Sequence, residues 1–421
     1  MEKQQTLVGG LSLGQIGAVA AGNALEFYDF LIFSFFAIQI GNVFFPVHDA
    51  NGRLLLALAT FGVGFLVRPL GGFLIGRMGD KRGRKPAMLF SFGLMGASIT
   101  GLALTPSYAS IGLAAPILVV IFRLVQGFAL GGEVGPSSAF LMEAAPPPRR
   151  GLYVALQLST QWLATLVAGI VGLVLTSRLT PDALTQWGWR VAFLIGALVV
   201  PFGLAVRRYL PETLERQEKA EAKSGVHFQW SVVMRGLFML AAGTIATYTL
   251  NYLVTFATHT LGLPSRVAFG ATAVCGLCGV IFTLVGGFLA DRLGRRPVMT
   301  AAVTLLMLAV LPCFMAMVTI KTGAVFLGAA ALMAILLSLA LPPMFVSLME
   351  NLPAATRSGG IGTLYALAIS IFGGTAQFVV AALVTVTGSP LMPAWYMAGA
   401  LLLGLIALTG MRETAPLKTG G

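Results

Sequence analysis

A ten-residue pattern occurs twice in this chain of 421 residues, half a chain apart. Gly76-x-x-x-Asp80-Lys81-Arg82-Gly83-Arg84-Lys85 returns as Gly287-x-x-x-Asp291-Arg292-Leu293-Gly294-Arg295-Arg296. Each copy is a short basic loop between long apolar segments. A second echo keeps nearly the same offset: Leu141-Met142-Glu143 with Arg150 matches Leu348-Met349-Glu350 with Arg357. The sequence therefore reads as a duplication, and each half must fold as a set of apolar segments joined by short polar turns.

Composition says what those segments are. Only 10% of the residues are charged and 57% are hydrophobic, with a mean hydropathy of +0.88. A soluble domain carries about 25% charged residues, so most of this surface must face hydrocarbon. In hydrocarbon a segment has to satisfy its own backbone hydrogen bonds, which leaves helices for stretches of this length. Spans are expected near 12–40, 53–76, 86–106, 113–141, 151–177, 189–207, 233–258, 267–290, 297–319, 324–349, 359–386 and 393–411. Each supplies the roughly 20 residues that cross a bilayer. The expected fold is an all-α membrane protein with twelve transmembrane helices in two pseudo-symmetric six-helix bundles, 1–207 and 233–421. A polar, charge-dense linker over 208–232 joins them. Duplicated bundles with a site between their halves are the architecture of secondary transporters.

The net charge of +12 does not imply a nucleic-acid partner, because of where it lies. Nearly all the lysines and arginines collect at one end of the spans, in both repeated loops, at Arg149 and Arg150, and along the linker. Only Arg53, Arg178, Arg190, Arg266 and Lys321 lie at the other end, and Arg68 and Arg123 fall inside spans. The positive-inside rule places the basic end and both termini in the cytoplasm. The chain is expected in the inner (plasma) membrane, as a monomer whose partner is the lipid bilayer. The N-terminal apolar stretch is long and holds Glu26 and Asp29, so it reads as a retained first helix rather than a signal peptide. Cys275 and Cys278 form C-x-x-C inside an apolar span without a second pair and read as small buried residues. His48, His227 and His259 lie in loops or at span ends. Neither a metal nor a cofactor is expected.

Polar side chains inside spans are costly in hydrocarbon and mark candidate sites. Span one holds Asn23, Glu26, Tyr28 and Asp29, with Glu26 and Asp29 three apart on one helix face. Span four holds Arg123, Gln126 and Glu133, a polar stripe roughly 15 Å long. Span five offers Gln157 and Gln161. Span seven places Thr244, Thr247, Tyr248, Asn251, Tyr252 and Thr255 at helical spacing, an amphipathic face that should line water. Structural readings stand beside these. Arg123 can pair with Glu133 or Glu26 and lock helices together, and Asn or Thr often only joins helices, worth roughly 0.6 kcal/mol each. Arg68, before Pro69, reads as a packing residue at a helix end. Pro342-Pro343 inside span ten must interrupt backbone hydrogen bonding, as a structural kink or as a hinge. Glu26, Asp29 and Glu133 are candidates to carry a coupled proton: an acid near Arg123 can stay charged in the empty site and take a proton when substrate claims the guanidinium.

The doubled loop resembles the signature of the major facilitator superfamily, between spans two and three and between eight and nine. Further stretches resemble its metabolite:proton symporter family, which includes carriers of citrate, tricarballylate, 2-oxoglutarate, shikimate and betaine. They are Gly22-Asn23-Ala24-Leu25-Glu26-Phe27-Tyr28-Asp29-Phe30, Arg68-Pro69-Leu70-Gly71-Gly72, Arg123-Leu124-Val125-Gln126-Gly127 with Gly131-Gly132-Glu133, Arg149-Arg150-Gly151-Leu152-Tyr153, Trp187-Gly188-Trp189-Arg190 and Ile371-Phe372-Gly373-Gly374. The segment from Tyr108 to Gly151 looks most like citrate carriers; Asn251-Tyr252 and Pro342-Pro343 depart from their pattern. The resemblance implies that Arg123 and Glu133 belong to a central cavity. It also implies that Asp80, Arg84, Asp291 and Arg295 make gate contacts with Glu143, Arg150, Glu350 and Arg357.

The expected function is proton-coupled import of a small organic anion, a di- or tricarboxylate such as citrate. Arg123 would grip a carboxylate, with Asn23, Tyr28, Gln126, Gln157, Gln161, Tyr248, Asn251 and Tyr252 as neutral contacts. A carrier of a zwitterionic or neutral solute such as betaine, or a membrane sensor that does not transport, are the rival readings. No Ser-His pair or metal-ligand set in the spans suggests an enzyme.

Overall fold

The computed structural model describes residues 13–82, 84–131, 145–208, 230–352 and 357–419. Most of the expected linker, 209–229, and the stretch holding Glu133 and Glu143 lie outside them. Among the described residues the chain is helical, with no strand.

Eight helices are long and apolar enough to cross a membrane: Ala50–Met78, Pro147–Arg178, Trp230–Thr260, Ser265–Leu293, Arg295–Ile320, Gly323–Asn351, Gly360–Thr387 and Met392–Thr409. They are spans two, five and seven to twelve. Span one is a pair of helices, Asn23–Phe35 and Ala37–Phe44, bent by 62°. Leu89–Leu104 and Ala114–Leu130 are the apolar helices of spans three and four, and Trp189–Arg208 is span six. The twelve expected spans are present. Their outward surface is apolar, with Leu66, Leu104, Leu308 and Val386 all exposed, as a hydrocarbon solvent requires.

Three local expectations change. Span one is not a single straight helix: it turns at Phe36, and its outer part lies against the start of span two, where the Gly41 position approaches the Arg53 carbonyl. Span two runs from Ala50 to Met78 with one turn at Val67, between the helical segments Ala50–Leu66 and Arg68–Arg82, because Pro69 has no N–H to continue the ladder. The double proline does not break span ten. Gly323–Asn351 is one helix with both prolines buried inside it. The carbonyl of Leu339, deprived of its partner by Pro343, lies against Gly286 of span eight, so a neighbouring helix covers the interrupted ladder.

Close approach through glycine builds both the bundles and the seams between them. Within the first half, a Cβ at Gly127 of span four would sit 1.6 Å from the Gly64 carbonyl of span two. Across the halves, spans five and eight meet where Gly279 lies under the Trp162 ring, 2.2 Å from where a Cβ would be. Spans two and eleven meet at Gly62 and Gly374, and Ser370 donates to the Phe65 carbonyl at 2.8 Å. The span-eleven motif Ile371-Phe372-Gly373-Gly374 sits on a π-helical turn, Ile369–Gly373, at this seam. Such turns recur where helices serve function.

Substituting Gly279→Val should wedge spans five and eight apart. Overpacking of this kind costs about 1–3 kcal/mol, so the purified protein should melt several degrees lower. An unchanged melting temperature would show that the seam is looser than described.

Candidate functional site

A small cavity of about 60 Å³ lies between the halves. The first half contributes Phe27 and Leu31 from span one and Gln161, Trp162 and Thr165 from span five. The second contributes Thr244, Thr247, Tyr248 and Asn251 from span seven, Met344 and Phe345 just past the double proline, and Tyr365 and Ile369 from span eleven. The polar face read from the span-seven spacing therefore points into the cavity over two turns. Thr255, a turn further on, is buried.

The Arg123 side chain is fully buried. One guanidinium nitrogen donates to the Gln126 amide oxygen and another to the Phe61 carbonyl at 3.1 Å. Its carbon lies over the rings of Phe30, Phe33 and Phe61 at 4.7, 4.5 and 5.0 Å. Its Nε has no partner, and no carboxylate among the described residues pairs with it. Gln126 in turn donates to the Asp29 backbone carbonyl at 3.4 Å, so span four is tied to span one at the level of the arginine.

The other expected site residues divide. Gln161, Tyr248 and Asn251 line the cavity. Asn23 donates to Thr160 at 2.7 Å, beside buried Gln157, and joins spans one and five. Two tyrosines are turned away from the cavity. Tyr28 donates to the Ala192 carbonyl of span six at 3.0 Å, and Tyr252 is buried among the second-half helices, hydrogen-bonded to Thr260. Helix geometry explains this, since Tyr28 and Tyr252 follow cavity-lining Phe27 and Asn251 by one position, about 100° around the axis. The Asp29 carboxyl also faces span six: Oδ1 is buried without a partner, 2.1 Å from where a Cβ on Gly196 would be. Glu133 and the side chain of Glu26 lie outside the described residues. The sequence reading missed Trp162, Thr165 and Tyr365. Thr165 had a signal, since it continues the i, i+4 series of Gln157 and Gln161.

At the basic end the structure joins four of the expected gate residues into one chain across the halves. Asp291 accepts from the backbone N–H groups of Gly151 and Leu152 at 2.8 and 2.9 Å, a carboxylate on the positive end of the span-five helix. Arg295 pairs with Asp291 and lies 3.5 Å from Glu350, which Arg150 reaches from the first half at 3.6 Å. Glu143 and the side chains of Asp80, Arg84 and Arg357, the other expected gate residues, lie outside the described residues. At the opposite end His259 and Asn51 meet across the halves at 2.7 Å, and Phe36 packs on Phe269 with centroids 5.0 Å apart. Contacts between the halves thus lie beyond the cavity at both ends.

The basic end has a further brace that the sequence did not suggest. Glu413 accepts from the backbone N–H groups of Arg295 and Arg296 at 2.8 and 2.9 Å, and from those of Thr414 and Ala415 at 3.0 and 2.9 Å. Partial burial pushes its pKa up, but these four donors together outweigh that and hold it below the ordinary 4.5.

The sequence profile described as Major Facilitator Superfamily matches residues 30–376. The citrate-proton symporter of Klebsiella pneumoniae is 35% identical over 412 residues, covering 96% of this chain and 93% of that protein. The proline/betaine transporter of Escherichia coli (strain K12) is 33% identical over 427 residues, covering 96% and 84%. A crystal structure of a D-xylose-proton symporter superposes with a TM-score of 0.75 at 19% identity, covering 94% of this chain and 97% of that one, a likeness of fold.

The Glu413 brace makes a pH-dependent prediction. Its folded-state pKa is depressed, so its stabilisation is present above about 4.5 and is lost as pH falls through the folded value. Glu413→Gln should lower stability at pH 7 by about 0.5–1 kcal/mol, the low end for a helix cap because the group is partly exposed. The gap from the unsubstituted protein should shrink progressively in melting curves recorded as the pH is lowered below about 4.5.

Proposed function

This chain belongs to the major facilitator superfamily, within its metabolite:proton symporters, and on that premise we propose that it imports a small organic anion, a di- or tricarboxylate such as citrate, together with protons. It is a multi-pass membrane transporter and not an enzyme; the substrate and the roles of its residues are the proposal. The observation that carries it is Arg123, fully buried with an unpartnered Nε and no carboxylate partner among the described residues. Holding an uncompensated ion in a protein interior costs several kcal/mol. A substrate carboxylate supplies the missing charge, and a guanidinium takes it through paired charge-assisted hydrogen bonds.

Asp29 is the proton carrier in this reading. It is buried two residues beyond the cavity residue Phe27 on span one, with its carboxyl toward span six, and its backbone is linked to Arg123 through Gln126. Substrate on Arg123 and a proton on Asp29 would together leave the site with little net charge for the half-turn of the cycle. The membrane potential acts only on the net charge that crosses, about 2.3 kcal/mol per elementary charge per 100 mV, so protons that outnumber the negative charges of the substrate would draw it in. Gln161, Tyr248 and Asn251 supply neutral contacts. The two six-helix halves, joined by the segment over 208–232, would rock about the seams of spans five with eight and two with eleven. The network of Arg150, Asp291, Arg295 and Glu350 would close the basic end, which we place in the cytoplasm of a cell with the protein in its inner membrane.

The proline/betaine relative favours a second reading, a zwitterion carrier. Such a solute also offers one carboxylate to Arg123, so uptake measurements must separate the two. Reconstituted protein under an imposed pH gradient should accumulate citrate or 2-oxoglutarate and not betaine. Arg123→Ala should cut that uptake by at least roughly 10–100-fold, the worth of a single charged hydrogen bond, without loss of the folded peak in size-exclusion chromatography. Undiminished uptake would remove Arg123 from the site. Asp29→Asn should retain exchange of labelled for unlabelled substrate but lose accumulation driven by the pH gradient; intact accumulation would assign the proton to another acid.

A further inference from the structure

The sequence reading gave Arg68 a packing role at a helix end, and the structure gives it the surroundings of a second ligand cation. It begins the inner segment of span two and is 4% exposed. Its guanidinium carbon lies over Phe30 at 4.7 Å and over Phe65 at 4.6 Å. Arg123 lies over the same Phe30 ring, also at 4.7 Å, so the two guanidinium carbons are less than about 10 Å apart. Both Nε atoms are buried without a partner, and neither arginine has a carboxylate partner among the described residues.

Arginines with a plain structural task in this protein behave differently. Arg190 donates to the carbonyls of Ala103 and Thr105 at 2.6 and 2.7 Å, and Arg235 to that of Gly410 at 2.7 Å. Each covers the free carbonyls at a helix end. Arg68 makes no such bond among the described residues, where its close contacts are the faces of Phe30 and Phe65. Tyr248 connects that aromatic layer to the cavity. Its ring packs on Phe61 and Phe65 with centroids 6.1 and 5.6 Å away, it lines the cavity, and it lies within electrostatic reach of both arginines.

We infer that Arg68 and Arg123 together form a two-point clamp for a substrate bearing at least two carboxylates, reached from the cavity when the layer of Phe30, Phe61, Phe65 and Tyr248 parts. The inference rests on the carboxylate reading above and sharpens it. Two neighbouring guanidiniums match two negative charges spaced along a short carbon chain.

The test is competition against labelled citrate uptake by tricarballylate and by its partial amides, which carry two or one free carboxylates. The unsubstituted protein should bind the two-carboxylate probe at least about tenfold more tightly than the one-carboxylate probe. Arg68→Gln should lose about tenfold or more for the former and leave the latter unchanged, whereas a merely structural loss would weaken both alike. Arg68→Lys, which keeps the charge, should keep the preference. Equal affinity of the unsubstituted protein for the two probes overturns the clamp whether or not the Gln variant folds, and so does an Arg68→Gln protein that keeps the preference. If the unsubstituted protein takes up no carboxylate at all, the carboxylate reading fails and the clamp with it. Carboxylate uptake without the preference removes the clamp alone.

Discussion

A guanidinium that finds no counter-ion among the described residues of a membrane protein's interior has to be kept there by its surroundings. Arg123 has two hydrogen bonds and three aromatic faces, and each face contributes about 0.5–2 kcal/mol. That offsets part of the desolvation cost and leaves a positive field directed at any space that opens beside it. With Arg68 under 10 Å away, mutual repulsion adds about 2 kcal/mol at an intermediate dielectric. The aromatic cluster of spans one and two exists around these charges. The packing of spans one, two and four follows from it.

The remainder of the molecule holds those charges near a movable boundary. The cavity of about 60 Å³ has room for a few waters and is far below the 300–1,000 Å³ of a typical ligand pocket. With cross-half contacts at both ends, this arrangement is compact, and a substrate needs the halves to part. The contacts are of kinds that separate as units. Glycine lets helix backbones touch along spans five and eight without interlocking long side chains. The ion pairs at the basic end sit at helix termini, where they can break without exposing a span. Asp291 is both the partner of Arg295 and the acceptor of two N–H groups of the facing half, which couples the loop of one repeat to the helix of the other.

The duplicated loop is used in a way that simple symmetry does not convey. In the second copy, Arg295 begins span nine and is fully buried, with its backbone held by Glu413 from beyond span twelve. The C-terminal segment thus braces the second copy of the repeated loop, a contact between distant parts of the chain that no local pattern encodes.

Local chemistry repeated along the chain was legible in the sequence. Hydropathy fixed the number and order of spans, the doubled loop revealed the duplication, and helical spacing turned the face of span seven toward the cavity, because each follows from composition or from a 100° step per residue. What the sequence could not supply is which helix stands opposite which. That decided that Tyr28, Asp29 and Tyr252 face neighbouring helices, that Pro342-Pro343 is supported from outside its own helix, and that Arg68 stands beside Arg123 on one phenylalanine. A side chain's direction follows from its own helix, but its partners, and with them its role, depend on how distant helices pack, and only the tertiary structure decides that.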